Sequence, residues 1–228
     1  MQMSDLTLPE LALHPLTLDP DRHVRGTPPA SSGPLEDRVL LGGPFVIPMT
    51  AERHPEYRAF IEAEAPHSVY HELHMALSFE NQRGESRLDT ATVGLTMTAP
   101  APAVAPVAWS MLPSRLDGPA SSDVKVELKP QLKLAGAELS ALSMSGTIGP
   151  AATPFLLARR ELRSDPSWEL RRTRTQSLDG SQVRLVMVVR APRHAVSTLT
   201  LTVRASTKTT VLRRYRALAA PISLAANL

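Results

Sequence analysis

Cysteine is absent from the chain, so disulfides and thiolate metal sites are excluded and one nucleophile drops out. Aromatic residues make up only 4%, which leaves leucine, valine, alanine and methionine to fill any core. No run approaches the ~18 apolar residues of a membrane-spanning helix. The stretch Met1 to Pro20 has no basic segment followed by an apolar one, so no secretory signal is read there and the expected location is cytoplasmic. The catalytic signatures Gly-x-Ser-x-Gly, Gly-x-x-x-x-Gly-Lys, Gly-x-Gly-x-x-Gly and His-Glu-x-x-His are all missing. No catalytic residue and no cofactor is therefore assigned.

Proline is abundant instead. There are 21 in 228 residues, about twice what average usage of ~5% gives, and each one opposes a long helix by removing a donor and crowding the preceding turn. Residues 1–44 hold Pro9, Pro15, Pro20, Pro28, Pro29 and Pro34, with Pro44 closing the stretch. They read as an extended or disordered arm, followed by a β-rich region from 45 to 228. Phe45-Val46-Ile47, between Pro44 and Pro48, reads as an edge strand.

One short helix is expected near 51–64, with Tyr57, Phe60, Ile61 and Glu64 on a shared face and Pro66 ending it. From residue 69 the period changes to two. Val69, His71, Leu73, Met75, Leu77 and Phe79 alternate with Tyr70, Glu72, His74, Ala76 and Ser78. Ala91, Val93, Leu95 and Met97 alternate with threonines at 90, 92, 96 and 98, and the two runs read as a hairpin turned at 81–85. Further strands are expected at 107–112, 124–128, around 132–134 and 137–144, at 168–175, 183–190, 197–205 and 209–215, and at 222–224. About ten short strands separated by turn signals predict a mainly β, antiparallel sandwich or barrel-like domain.

Charge is unevenly spread. Residues 1–150 carry 18 acidic and 11 basic side chains, whereas residues 151–228 carry 4 and 14. The change near 150 is the one place where composition suggests dividing the β region. Arginines cluster in the second part. Arg171, Arg172 and Arg174 follow Trp168, and Arg213, Arg214 and Arg216 surround Tyr215, a mixture able to hold phosphates and stack bases. On strands such neighbours point to opposite faces, and a solvated or acid-paired sheet face is the plainer reading.

His67, His71 and His74 lie within eight residues, imidazoles that on a helix would share a face and bind a metal. The fragment Ala65 to His71 resembles the Pro-His-x-x-x-His stretch beside a copper site in tyrosinases. The family's later Asp-Pro-x-Phe and His-His elements are missing, and its activity is not carried over. If 69–79 is a strand, His71 faces inward and His74 outward. The threonine rows at 90–98 and 198–202 form hydroxyl-bearing faces suited to a regular binding surface, although exposed strands often look this way.

These features lead to a non-enzymatic β-sandwich interaction or assembly module, a subunit of a larger complex that self-associates or binds a protein partner. Two alternatives stand beside it. One is a nucleic-acid or polyanion binder using the six arginines, and the other is a metal-dependent enzyme centred on the three histidines.

Overall fold

A computed structural model describes residues 10–20, 35, 37–81, 86–117, 155–208, 214–219 and 222–224. Within these the chain forms β1 (Leu13–Pro15), β2 (Leu18–Pro20), β3 (Val39–Pro48), α1 (Arg58–Glu64), β4 (Ser68–Phe79), β5 (Leu88–Thr98), β6 (Val107–Leu112), β7 (Arg115–Leu116), β8 (Leu156–Arg159), β9 (Ser167–Arg171), β10 (Gln182–Pro192), β11 (Thr198–Lys208), β12 (Arg214–Ala219) and β13 (Ile222–Leu224). The strands make two antiparallel sheets. Sheet A has the order β1-β3-β4-β10-β6. Sheet B has the order β2-β12-β11-β5-β9-β8-β7, and β13 also pairs with β11. The protein is a mainly β sandwich.

The period-two patterns explain the core. Leu73, Met75, Leu77 and Phe79 of β4 and Leu185, Met187 and Val189 of β10 join one buried cluster with Val93, Leu95 and Met97 of β5 and Leu199, Leu201 and Val203 of β11. Each large apolar side chain taken fully out of water contributes ~1.5–3 kcal/mol. Trp168 is also completely buried, and its indole N–H donates to the carbonyl of Pro113 at 3.2 Å. The scarcity of aromatics thus leaves a core dominated by aliphatic and methionine side chains.

The expected hairpin of residues 69–79 and 90–98 does not form. β4 pairs with β3 and β10 in sheet A, while β5 pairs with β9 and β11 in sheet B. Both runs present an apolar row to one core, and placing them in opposite sheets lets those rows face each other. The chain changes sheet again from β5 to β6, from β6 to β7, from β9 to β10 and from β10 to β11. Strands from either side of position 150 consequently interleave around a single core, with β10 lying between β4 and β6 and β11 beside β5.

Parts of residues 1–44 belong to the sandwich. β1 and β2 are outermost in sheets A and B respectively, and each ends in a proline, which an edge position tolerates because no ladder donor is lost there. Phe45–Ile47 forms the second half of β3, after a register break between Gly42 and Phe45. Gly43 sits in that break at φ +83°, and a Cβ there would come within 2.6 Å of the His74 carbonyl oxygen. The expected strand at 168–175 ends at Arg171, and β7 and β8 were not anticipated. Expected strands at 124–128, 132–134 and 137–144 lie outside the described residues.

One end of the sandwich is locked by a buried ion pair. Arg38, 1% exposed, approaches Asp179 at 2.6 Å and donates to the Ser86 carbonyl at 2.6 Å. Asp179 also accepts from the Leu88 amide at 3.3 Å. The start of β3, the start of β5 and the Asp179-Gly180 turn before β10 are thereby joined. Among the described residues, no helix is long and apolar enough to cross a membrane.

Candidate functional site

The outward face of sheet B is a lattice of hydroxyls. The pairing of β5 with β11 sets Thr98 opposite Thr198, Thr96 opposite Thr200, Gly94 opposite Thr202, Thr92 opposite Arg204 and Thr90 opposite Ser206. On the other side of β5, β9 sets Ser167 beside Gly94, Glu169 beside Thr92 and Arg171 beside Thr90. The two threonine rows read separately from the sequence are therefore neighbours. Thr90 and Ser206 hydroxyls lie 2.6 Å apart, and Thr202 donates to the Gly94 carbonyl at 3.3 Å.

An open groove of about 470 Å³ runs over this face, lined by Thr90, Thr92, Thr96, Thr202, Ser167 and Arg204 among others. Gly94 lowers its floor by omitting a side chain. One wall is the turn between β8 and β9, where Arg160 and Leu162 both adopt left-handed backbone, with φ of 60° and 62°, a conformation that costs a non-glycine residue free energy. Arg160 is ion-paired with Asp165 of the same turn, and Arg159 with Glu169 at 3.4 Å. Arg204 and Arg171 are exposed and make no ion pair among the described residues. Among the described residues the face therefore carries two arginines outside any ion pair, and no aromatic ring lines the hydroxyl groove.

The outward face of sheet A is built differently, because the chain covers it with its own residues. A 3₁₀ turn at Pro55–Tyr57 leads into α1, so the expected helix near 51–64 forms only from Arg58. The proline at 55 sits at the first position of the turn, where its missing donor is harmless. Tyr57, Phe60 and Ile61 pack with Trp109 on Met49, Tyr70 and Val188. Phe60 and Tyr70 ring centroids are 5.2 Å apart, and Trp109 meets Tyr70 edge-on at 6.0 Å. Arg190 lies over the Trp109 ring at 5.5 Å and 3.5 Å from Glu64. Tyr70 donates to Glu64 at 3.4 Å. Burial, helped by the Glu64 carboxylate, pushes the Tyr70 phenol up to about 12.

Beside this apolar patch a carboxylate is enclosed between two imidazoles. His54, Glu72 and His74 are 2%, 8% and 1% exposed. His74 Nε2 lies 3.1 Å from Glu72 Oε2, and His54 Nε2 lies 3.8 Å from Glu72 Oε1. His74 thus points outward from the strand, as its parity requires, but it is not a surface residue. The covering segment, absent from the local pattern of 69–79, accounts for the difference. Glu72 stood in the sequence only as a neighbour of the three histidines and His54 was not singled out, because no local signal pairs residues 18 positions apart.

The three histidines proposed as ligands do not gather. His67 is exposed before β4, His71 lies on the inward row, and His74 is on the outward row. Among the described residues no three histidine, cysteine or carboxylate side chains are arranged to hold a metal ion. Burial lowers the His71 imidazole below its usual value.

Of the six arginines proposed for anions, Arg171 and Arg174 are exposed, and Arg172 lies 3.7 Å from Asp89. Arg214 and Arg216 stand in β12, in register with Lys208 and Ser206, and their side chains, like all of Arg213, lie outside the described residues. The contacts of Arg172 with Asp89 and of Arg190 with Glu64 join the basic and acidic portions of the chain within one molecule. No protein-family model matches the chain, and no curated protein matches its sequence.

Proposed function

We propose that this protein is a non-enzymatic interaction module, a subunit that holds a macromolecular partner on the outward face of sheet B. The observation that carries this reading is the contrast in cover. The chain lays a helix over the outward face of sheet A but none of its described residues over the hydroxyl groove of sheet B. The groove offers hydrogen-bonding groups in a regular array, the kind of surface that recognises rather than transforms. The carboxylates among its described lining residues, Asp165 and Glu169, are engaged by arginines, so neither is poised as a general base.

The test is size-exclusion chromatography with light scattering at tens of micromolar, at low and high salt, on the full chain purified gently from its native cells. The expected result is a complex or oligomer larger than the monomer, lost in Thr96→Tyr, which fills the groove at an exposed strand position. A monomer at every salt concentration with nothing co-purifying would overturn the reading. So would a complex indifferent to Thr96→Tyr.

A further inference from the structure

The chemistry of the groove narrows what its partner presents. Resting on the interaction reading, we propose that the outward face of sheet B docks an extended, acidic segment of a partner protein whose alternate side chains are carboxylates.

Spacing is the first argument. Side chains on one face of a strand recur every second residue, about 7 Å apart. The rows Thr90–Ser206, Thr92–Arg204, Gly94–Thr202 and Thr96–Thr200 therefore repeat with the period of one face of another extended chain laid along β5 and β11. Such a segment keeps its downward side chains in step with the rows without stretching or coiling. The glycine at 94 leaves a depression within that series, where a Cβ would approach the Thr202 hydroxyl to 3.1 Å.

Charge is the second. Among the described residues, the groove's carboxylates Asp165 and Glu169 are already satisfied by Arg160 and Arg159, while Arg204 and Arg171 make no ion pair. They stand in adjacent rows, Arg204 beyond Thr92 and Arg171 beyond Thr90. Carboxylates spaced two residues apart meet one guanidinium each, a charge-assisted contact that also uses neighbouring hydroxyls as donors.

The third argument separates this partner from a nucleic acid. Single-stranded nucleic acid is held by aromatic platforms as well as cations, and among the described residues the groove lining contains no tryptophan, tyrosine, phenylalanine or histidine. Carboxylates need only donors and positive charge, and the groove supplies these.

The experiment is fluorescence anisotropy with the full chain and a labelled ten-residue peptide of alternating glutamate and threonine. A peptide of the same composition in blocks, a labelled oligothymidylate and labelled heparin serve as comparisons. The alternating peptide is expected to bind at least fivefold more tightly than the blocked one, with affinity that falls as salt rises. Arg204→Glu is expected to weaken it tenfold or more, and Arg171→Glu by a smaller factor. Equal affinity for the two peptides, or no effect of Arg204→Glu, would overturn the proposal. Tighter binding of oligothymidylate or heparin at the same residues would replace it with a polyanion site. If the alternating peptide fails while Thr96→Tyr still dissolves the native complex, the acidic ligand is wrong and the interaction reading stands. If Thr96→Tyr changes nothing, both fall.

Discussion

The two outward faces of this sandwich begin from the same strand chemistry and end as opposites. On sheet A, the outward row of β4 contains Tyr70, Glu72, His74 and Ala76, and all four are buried. On sheet B, the outward row of β5 contains threonines that are half-buried or exposed. The difference lies in what the chain brings back over each. Residues 49–61 supply Met49, His54, Tyr57, Phe60 and Ile61 to sheet A, so its polar side chains must be paired with one another. Unpaired polar groups in such a place cost free energy. Sheet B keeps hydroxyls that water or a partner can satisfy. A covered face spends its polarity on structure, and a bare one keeps it for recognition.

The largest way to break this contrast is to remove the carboxylate under the cover. Glu72→Ala leaves the buried His74 without its hydrogen-bond partner and the buried His54 without the carboxylate beside it, and is expected to lower stability by about 3 kcal/mol, as breaking a buried polar pair does. Glu72→Gln, which keeps a hydrogen-bonding group for His74, is expected to cost less. Urea unfolding curves measure both, and a loss under 1 kcal/mol for Glu72→Ala would mean that the enclosed cluster is not structural.

Loosening the cover itself comes next. Phe60→Ala removes a half-buried ring from Tyr70 and Trp109 and is expected to cost about 2 kcal/mol, at the low end for truncating an aromatic side chain. The same change should red-shift the Trp109 contribution to fluorescence as water reaches the ring. Trp168, sealed in the core, provides the unchanged reference.

Titration sharpens the comparison further. Tyr70 belongs to the covered face, and absorbance at 295 nm should show a phenol ionising near 12. Because that value is raised, the group favours the folded state below the ordinary tyrosine value near 10, and this contribution disappears as pH rises towards 12. His71 behaves in the opposite sense. Its folded value is lowered by burial, so the unfolded chain binds the proton more readily. Its contribution is intact above the usual histidine value of about 6.5 and is lost as pH falls below it. His71→Leu should flatten that acid limb of the stability profile, and an unchanged slope would assign the proton uptake elsewhere.

The smallest expected effect is on the bare face. Thr96→Tyr and Arg204→Glu change exposed strand positions and should alter stability by no more than about 0.5 kcal/mol. A loss above 1.5 kcal/mol in either would show that the groove is part of the fold's support.

How far the sequence could be read depended on how local each feature is. The inward rows of β4, β5 and β11 were legible residue by residue, because burial on one face imposes a period of two on the chain itself. The helix was legible from Phe60 and Ile61 but began later than expected, since Pro55 opens a 3₁₀ turn. The threonine rows were visible separately, whereas their alignment came from the register of two strands about a hundred residues apart. Arg38 and Asp179, 141 residues apart, left no mark that distinguished them from other charged residues near turns. Spacing set His67, His71 and His74 close together in the chain, while the strand period of the same residues already placed His71 and His74 on opposite faces, where β4 has them.

By itself, then, the sequence determined the long core strands β4, β5, β10 and β11, the polar and apolar rows of β4, β5 and β11, and the exclusion of thiol chemistry. Only the tertiary structure decided that β4 and β5 face each other across the core, that His74 lies covered, and that the two threonine rows form one floor. The physical reason is that alternation is a property of each strand alone. Sheet membership and cover are chosen by long-range burial and hydrogen bonding, which consecutive residues do not record.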